Sequence, residues 1–471
     1  MRKTKIICTI GPASANDATL EAMCLAGMNV ARLNFSHGTY PEHTEKIDLV
    51  KRVREKLGLP IAIMLDTKGP EFRIKTFKDK KITLSEGDTF TFTTDDVEGD
   101  QTRVSVSYKN LAAELEVGST ILLNNGLVVF RVTAISGNDI ITTVVTGGEL
   151  SDRKSMSFPG KVLHQEYLSE QDKQDLLFGI AEGVDFVAAS FVSTGEDVRV
   201  LRAFLDDHGG RDIDIIAKVE NRSGVDNIED ICQYADGVMV ARGDLGVEIP
   251  FVEVPTVQKY LIKKCRLLGK RVITATEMLE SMIFNPRPTR AEISDVANAV
   301  YDGSSAVMLS GETAMGKHPV EAVRSMSEIA EFTERGIDYK SWFLSTEYRI
   351  RNNLDAVSHA TCAMAVDTGA KCIVVSSVSG QTARMVSRFR CPVDIIGLTT
   401  NERAWRKLNL SWGVTPIMSS EYSSLEVLFY MALDVAKKEY NLKRGDNVVL
   451  TGGQIGGNRG NTNVIKLETV K

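Results

Sequence analysis

The sequence predicts an α/β protein: a closed (β/α)8 TIM barrel, interrupted by a small inserted β domain and followed by a separate α/β domain. Three observations carry this. Short apolar runs alternate with longer amphipathic stretches, and about eight such runs occur, the number a closed barrel needs. The alternation breaks across residues 70–163, where the texture turns to Thr, Val and Gly. From about Asn352 a second α/β rhythm begins. A chain of 471 residues exceeds what one core sustains. The expected bounds are 1–69 and 164–345 for the barrel, 70–163 for the insertion and 350–471 for the last domain.

The barrel runs are "KIICTI" (5–10), "MNVARLNF" (28–35), "IAIMLD" (61–66), "VDFVAAS" (184–190), "IDIIAKVE" (213–220), "GVMVAR" (237–242), "RVITAT" (271–276) and "SAVMLS" (305–310). Nearly unbroken apolar character marks strands buried on both faces. Between them "ATLEAMCLAGM" (18–28), "VPTVQKYLIKKCRLLG" (254–269) and "TRAEISDVANAVYDG" (289–303) carry helical periodicity, the last preceded by Pro288 as a helix start. In the insertion, "DTFTFTT" (88–94) and "TRVSVSY" (102–108) alternate with period two and predict an antiparallel β domain. Placed in a strand–helix loop, it would sit over the barrel mouth as a lid. The last domain reads as helix 356–369, strand 371–377, strand 394–399, helix 424–440 and strand 447–453, ending in a glycine-rich loop at 452–463.

Composition narrows the partners. A 43% hydrophobic and 25% charged chain is of the soluble globular class. The net charge of -6 argues against nucleic acid or anionic membrane as the main partner. The seven cysteines are scattered without a Cys-x-x-Cys pair, which fits free thiols better than a disulfide framework or zinc site. "IICTI" is too short for a signal core, and no run spans a bilayer. A cytoplasmic location is expected.

In such a barrel the reactive residues lie where strands end, at the carboxyl face. Those positions hold Arg32, Asn34 and Ser36; Asp66 and Thr67; Lys218 and Glu220; Gly243 and Asp244; and Thr276. Glu220 and Asp244 suit a hard cation such as Mg2+, its shell completed by water and substrate oxygens. Lys218 shares a strand face with Glu220 and reaches whatever such an ion holds. An ammonium and a divalent ion aimed at one spot describe phosphoryl-group stabilisation. Arg32 offers a fork for phosphate or carboxylate, or a structural ion pair. Gly243-Asp244 is read as opening a turn whose backbone N–H groups could meet an anion. Asn34, Ser36, Asp66 and Thr67 are oxygen donors with one formal charge between them, fitting a monovalent cation or a hydrogen-bonded strand pair.

The segments "MNVARLNFSHG" (28–38), "LDTKGPEFR" (65–73), "AKVEN" (217–221), "MVARGDLGVEI" (239–249), "ITATEMLESMIFNPRPTRAE" (273–292) and "VMLSGETAMGKHP" (307–319) together resemble pyruvate kinases, and the likeness continues into "NTNVIKL" (461–467). The resemblance implies a barrel with a β-barrel lid and a C-terminal α/β regulatory domain. It implies phosphoryl transfer from phosphoenolpyruvate to ADP, giving pyruvate and ATP. Glu220 and Asp244 would hold Mg2+ (or Mn2+), and Lys218 would stabilise the phosphoryl group in flight. Arg32 would hold the substrate phosphate, and Gly243, Asp244 and Thr276 its carboxylate end, with Thr276 helping to protonate the enolpyruvate. Asn34, Ser36, Asp66 and Thr67 would bind K+, and Asn34, His37, Arg73 and Lys154 would serve the nucleotide. Relatives that work without K+ tend to carry lysine where this chain has Glu71, which implies K+ dependence here. Family habit implies a homotetramer.

Departures from the family pattern are Asn124-Asn125 where Asp-Asp is usual, Glu277 for Gln, Ser305 for Asp, Ser155 for Gly, and loss of the basic residues after "ASF" in "FVSTGED" (191–197). "SSVSGQTAR" (376–384) lies where the family binds a sugar-phosphate or nucleotide effector, making Ser377, Ser379 and Thr382 candidates; an ordinary serine helix cap fits equally. Two other functions compete. One is a metal-dependent lyase or aldolase acting on pyruvate or oxaloacetate, which would need neither the lid nor Lys218. The other is a catalytically silent relative that senses metabolites, which the lid departures favour and the intact Lys-x-Glu and Arg-Gly-Asp elements oppose.

Overall fold

The computed structural model describes residues 2–161, 163, 165–453 and 462–471. Eight parallel strands close into a barrel: β1 (Lys5–Thr9), β2 (Val30–Asn34), β3 (Ala62–Asp66), β4 (Phe186–Ala189), β5 (Asp214–Val219), β6 (Gly237–Ala241), β7 (Arg271–Ala275) and β8 (Ala306–Leu309). Each apolar run read from the sequence becomes one of these strands. The strands are almost wholly buried, as a parallel sheet covered by helices outside and filled by side chains inside must be. The inner filling includes Ile7, Val30, Met64, Phe186, Ile216, Met239 and Ile273, with Leu410 of the last domain joining it from below.

The outer helices begin and end where local chemistry dictates. Helices Tyr40–Leu57, Glu170–Glu182, Gly195–Asp207 and Arg290–Asp302 all start with reciprocal capping boxes, as in Thr289 with Glu292. Gly303 ends the last of them in the left-handed conformation, at φ 97°, which costs glycine nothing.

The insertion between β3 and β4 forms a seven-stranded sheet and a two-stranded ribbon of Lys81–Leu84 with Gly148–Ser151. Phe90, Phe92 and Phe130 pack edge-to-face and tilted at its centre. One pairing departs from the antiparallel expectation: Thr89–Thr93 runs parallel to Arg103–Ser105. The loop 94–102 provides the return crossing that a parallel pair needs.

The last domain is a five-stranded sheet in the order β11-β10-β9-β12-β13, where β9 is Cys372–Ser376, β10 Asp394–Thr399, β11 Val414–Met418, β12 Asn447–Gly453 and β13 Thr462–Thr469. The last pairing is antiparallel. The sequence reading missed β11, whose Pro416 is tolerated because the strand lies at an edge. It also missed β13 and the short helices Gln381–Ser387 and Glu402–Leu408. Most of the glycine-rich loop, residues 454–461, lies outside the described residues.

This domain docks under the N-terminal end of the barrel through buried ion pairs. Asp214 at the start of β5 takes Arg271 Nη1 and Lys407 Nζ, each at 2.7 Å, and Asp185 takes Arg406 Nε at 2.9 Å. Asn409 donates to the carbonyls of Asn29 and Pro60. All seven cysteines are free and buried. Among the described residues, no helix is long and apolar enough to cross a membrane.

Candidate active site

Asp66 ends β3 and is only 1% exposed. Its two carboxylate oxygens are divided between two cations, Arg32 Nε at 2.6 Å and Lys218 Nζ at 3.0 Å. Burial alone would raise this carboxyl, but Arg32 and Lys218 outweigh burial and hold it below the ordinary range. Arg32 spends a second donor on Thr9 Oγ1 at 2.8 Å, so its fork is steadied from within the barrel.

Lys218 Nζ is the hub. It donates to Ser190 Oγ at 2.7 Å and lies 3.0 Å from Glu220 Oε1. Burial opposes its charge, yet Asp66 and Glu220 keep its pKa above the usual lysine value. The ammonium is therefore a fixed positive charge at the mouth. Ser190 was overlooked in the sequence, although it ends "VDFVAAS" and the strand-end rule would have selected it. Its hydroxyl also donates to Thr67 O at 2.7 Å.

Glu220 is fully buried, and Oε2 accepts the backbone N–H of Phe191 at 2.6 Å. Phe191 adopts φ 55°, a costly conformation for an aromatic residue. Oε1 has no hydrogen bond, only the ion-pair approach of Lys218. Burial first, and the Asp244 charge second, outweigh Lys218 and push the Glu220 carboxyl up to about 7. A buried carboxylate with an unsatisfied oxygen, facing a second carboxylate, fits a cation. Among the described residues no group of three or more His, Cys, Asp or Glu forms a metal cage, so a divalent ion here would rest on this pair and on water and substrate oxygens.

Asp244 corrects one expectation. Gly243-Asp244 does not open a turn; Arg242–Glu248 is a helix, with Asp244 exposed in its first turn. Gly243 N donates to Thr276 Oγ1 at 2.8 Å, and that hydroxyl donates to Ala275 O at 2.6 Å. Thr276 and Glu277 both take left-handed backbone, φ 68° and 54°. Arg242 clamps them, donating to Thr276 O at 2.6 Å and Glu277 O at 3.1 Å while pairing with Asp295 at 2.7 Å. The strain is held by one guanidinium.

Asn34 and Asp66 are neighbours in the β2–β3 register. Asn34 Oδ1 accepts Ser36 N at 3.1 Å, and Thr67 Oγ1 accepts Ser190 N at 3.2 Å. The four oxygen donors thus gather on adjoining strand ends. Arg73 is engaged by Glu71, Nε to Oε2 at 2.8 Å, and by the Arg153 carbonyl at 2.6 Å. Lys154 O accepts Ile74 N at 3.0 Å, and His37 is exposed in the loop after β2. The lid touches the barrel helix through Glu248, which is hydrogen-bonded to Ser157 and the Phe158 backbone and pushed by burial up to about 7. Asn124 and Asn125 sit at φ 53° and 56°, a conformation that Asn tolerates better than most residues.

The effector candidates separate. Thr382 is buried, with its hydroxyl 2.5 Å from that of Thr462. Ser379 Oγ accepts Gln381 N at 3.4 Å, while Ser377 lies at the end of β9 with its N–H on Leu398 O. The N-cap position itself is Gly380, in the left-handed region, so the serine that meets the helix start is Ser379 one residue before it.

Comparison with known proteins matches residues 1–323 to the family "Pyruvate kinase, barrel domain" and residues 355–468 to "Pyruvate kinase, alpha/beta domain". Pyruvate kinase of Clostridium acetobutylicum is 45% identical over 473 residues, covering the whole of both chains. That of Sporosarcina psychrophila is 46% identical over 474 residues, covering all of this chain and 81% of the relative. A pyruvate kinase structure from Cryptosporidium parvum superposes with TM-score 0.94 at 38% identity, covering 99% of this chain and 96% of that one.

Proposed function

This chain belongs to the pyruvate kinase family, and on that premise we propose how its own residues carry phosphoryl transfer from phosphoenolpyruvate to ADP. Arg32 and Lys218 receive the substrate phosphate, since they are the two cations that meet at Asp66. Lys218 stays charged throughout and stabilises the phosphoryl group as it moves. The helix opening at Gly243-Asp244 receives the substrate carboxylate. Thr276, whose hydroxyl bridges Gly243 N and Ala275 O, relays a proton to the enolpyruvate that remains. Glu220 and Asp244 would hold Mg2+ (or Mn2+), which would supply positive charge against the charge developing on the substrate oxygens.

Asn34, Ser36, Asp66 and Thr67 hold K+, and Asn34, His37, Arg73 and Lys154 serve the nucleotide phosphates. Glu71 leaves the enzyme dependent on K+, because no lysine ammonium stands in for the ion at that position. A phosphorylated effector acting at Ser377, Ser379 and Thr382, and assembly as a homotetramer, complete the reading.

One observation carries it most: Lys218 Nζ stands 3.0 Å from both Asp66 and Glu220, beside Arg32. The test is pyruvate formation with Mg2+, in K+ and again in Na+, for wild type and Lys218→Met. Activity in K+ alone, lost in the variant, is expected. Full activity in Na+ refutes the K+ reading, and an unimpaired Lys218→Met refutes the role of the lysine.

A further inference from the structure

The loop that follows β7 adopts a backbone that its sequence resists. Thr276 and Glu277 stand at φ 68° and 54°, a region that glycine enters freely and that a β-branched residue resists most. Such strain persists only where the surrounding structure over-determines it. The residues that hold it lie outside the substrate contacts assigned above.

Arg242, the first residue of helix Arg242–Glu248, supplies most of the constraint. Its Nη2 donates to Thr276 O at 2.6 Å and Glu277 O at 3.1 Å and approaches Met278 Sδ at 3.0 Å. Its Nε faces the Ala275 and Thr276 carbonyls at 3.3 and 3.2 Å. Nη1 turns the other way, to Asp295 at 2.7 Å and Gln258 Oε1 at 3.4 Å. One planar guanidinium thus spans four consecutive residues of the loop and is itself anchored on two outer helices, Val254–Leu268 and Arg290–Asp302. A lysine presents a point charge and cannot span such a set. Gly243, the next residue of the same helix, holds the other end of the threonine, its N–H donating to Thr276 Oγ1 at 2.8 Å. The far end of the loop is held independently, by buried Glu312, which accepts Leu279 N at 3.0 Å and Ser310 N at 2.7 Å.

We propose that Arg242, anchored by Asp295, is a positioning residue for the protonation of enolpyruvate: it fixes the Thr276 backbone so that the hydroxyl keeps one orientation toward the substrate carbon. The inference rests on the role given to Thr276 in the proposed function and extends it to two residues that act through it. A glycine at this position would take the same backbone without strain but would bring no hydroxyl; threonine brings the hydroxyl and needs the clamp. The hydrogen of that hydroxyl goes to Ala275 O at 2.6 Å, a carbonyl that Arg242 Nε also faces. The guanidinium therefore sets both where the oxygen lies and which way its hydrogen points. Misplacing a reacting group by about 1 Å costs about a hundredfold in rate.

The test uses the reverse step, because the group that gives a proton to the methylene carbon of enolpyruvate takes one from the methyl group of pyruvate. With the full chain, ATP, Mg2+ and K+ in deuterium oxide, nuclear magnetic resonance follows exchange of the pyruvate methyl protons. A parallel assay gives kcat and KM for phosphoenolpyruvate. Arg242→Lys keeps the charge facing Asp295 but loses the fork; it is expected to slow exchange and kcat by about tenfold or more and to leave KM within about threefold. Asp295→Asn frees the guanidinium from its anchor and is expected to act in the same direction, more weakly; it carries the test where Arg242→Lys does not fold. Thr276→Val is the reference. Exchange undiminished in Thr276→Val refutes the role of Thr276 and takes this inference with it. Exchange lost in Thr276→Val but undiminished in Arg242→Lys and Asp295→Asn overturns the inference alone. A raised KM with kcat intact also overturns it, since the guanidinium would then serve substrate binding and not the proton step.

Discussion

Replacing Asp66 by Asn should be the most damaging isosteric change in the barrel. The amide matches the carboxylate in volume, so no cavity forms, but it removes the negative charge that, among the described residues, Arg32 and Lys218 share. Those contacts are 2.6 and 3.0 Å, and at an effective dielectric of about 20 each is worth about 6 kcal/mol of Coulomb attraction before desolvation. The Asp66 side chain is 1% exposed and those of Arg32 and Lys218 10% and 11%, so water cannot replace what is lost. Breaking a buried pair from one side typically costs about 3–5 kcal/mol. For a cooperative unit of about 250 residues, the size of a barrel, that lowers the melting temperature by about 6–10 °C. Glu220 still answers Lys218 at 3.0 Å, which sets the lower end of the range. Thermal unfolding by circular dichroism in K+-free buffer is the assay, so that any ion effect stays out of the comparison. A shift under about 2 °C would mean that Asp66 does not hold these two cations in solution, and the account of a preorganised phosphate site would fail with it.

Asp214 gives a pH signature. Burial alone would raise it, but Arg271 on β7, Lys407 on helix Glu402–Leu408 and Arg384 on helix Gln381–Ser387 hold it well below the ordinary range. A carboxyl depressed in the fold contributes stability above its unfolded value near pH 4 and loses it as pH falls. Asp214→Asn should therefore melt lower at pH 7 and show a shallower decline between about pH 4 and 2; identical acid limbs would count against the pairing. Gly69 sits at φ 72°, where an added Cβ would stand 2.8 Å from Ser190 Cβ and 3.0 Å from Ser190 O. Gly69→Ala should cost about 2–4 kcal/mol through left-handed strain and overpacking. It should also slow pyruvate formation at least tenfold by moving the hydroxyl that Lys218 holds; a variant with wild-type kcat would separate Ser190 from the reaction.

The sequence by itself determined the eight barrel strands, the inserted β segment and most of the strand-end residues. Buried strands and amphipathic helices have local periods, and strand ends are local facts. Arg32, Asp66, Lys218 and Glu220 were legible for that reason. Their mutual contacts were not, because Lys218 and Asp66 stand 152 residues apart and only barrel closure makes them neighbours. The helix at Arg242 was hidden because Arg-Gly-Asp read alone suggests a turn, while in the fold Arg242 is drawn to three carbonyls and Asp295 across the β6–β7 gap. The left-handed Phe191, Thr276 and Glu277 follow no propensity; tertiary hydrogen bonds impose them. Thr382 was legible as a hydroxyl beside Ser377 and Ser379, but its contact with Thr462 of β13 was not, because 80 residues separate the two. Ser305 read as a minor departure, and its contact with Arg390, 85 residues on, appears only in the fold. Local chemistry sets which groups a chain carries, and chain closure over long separations sets which charges are left facing one another.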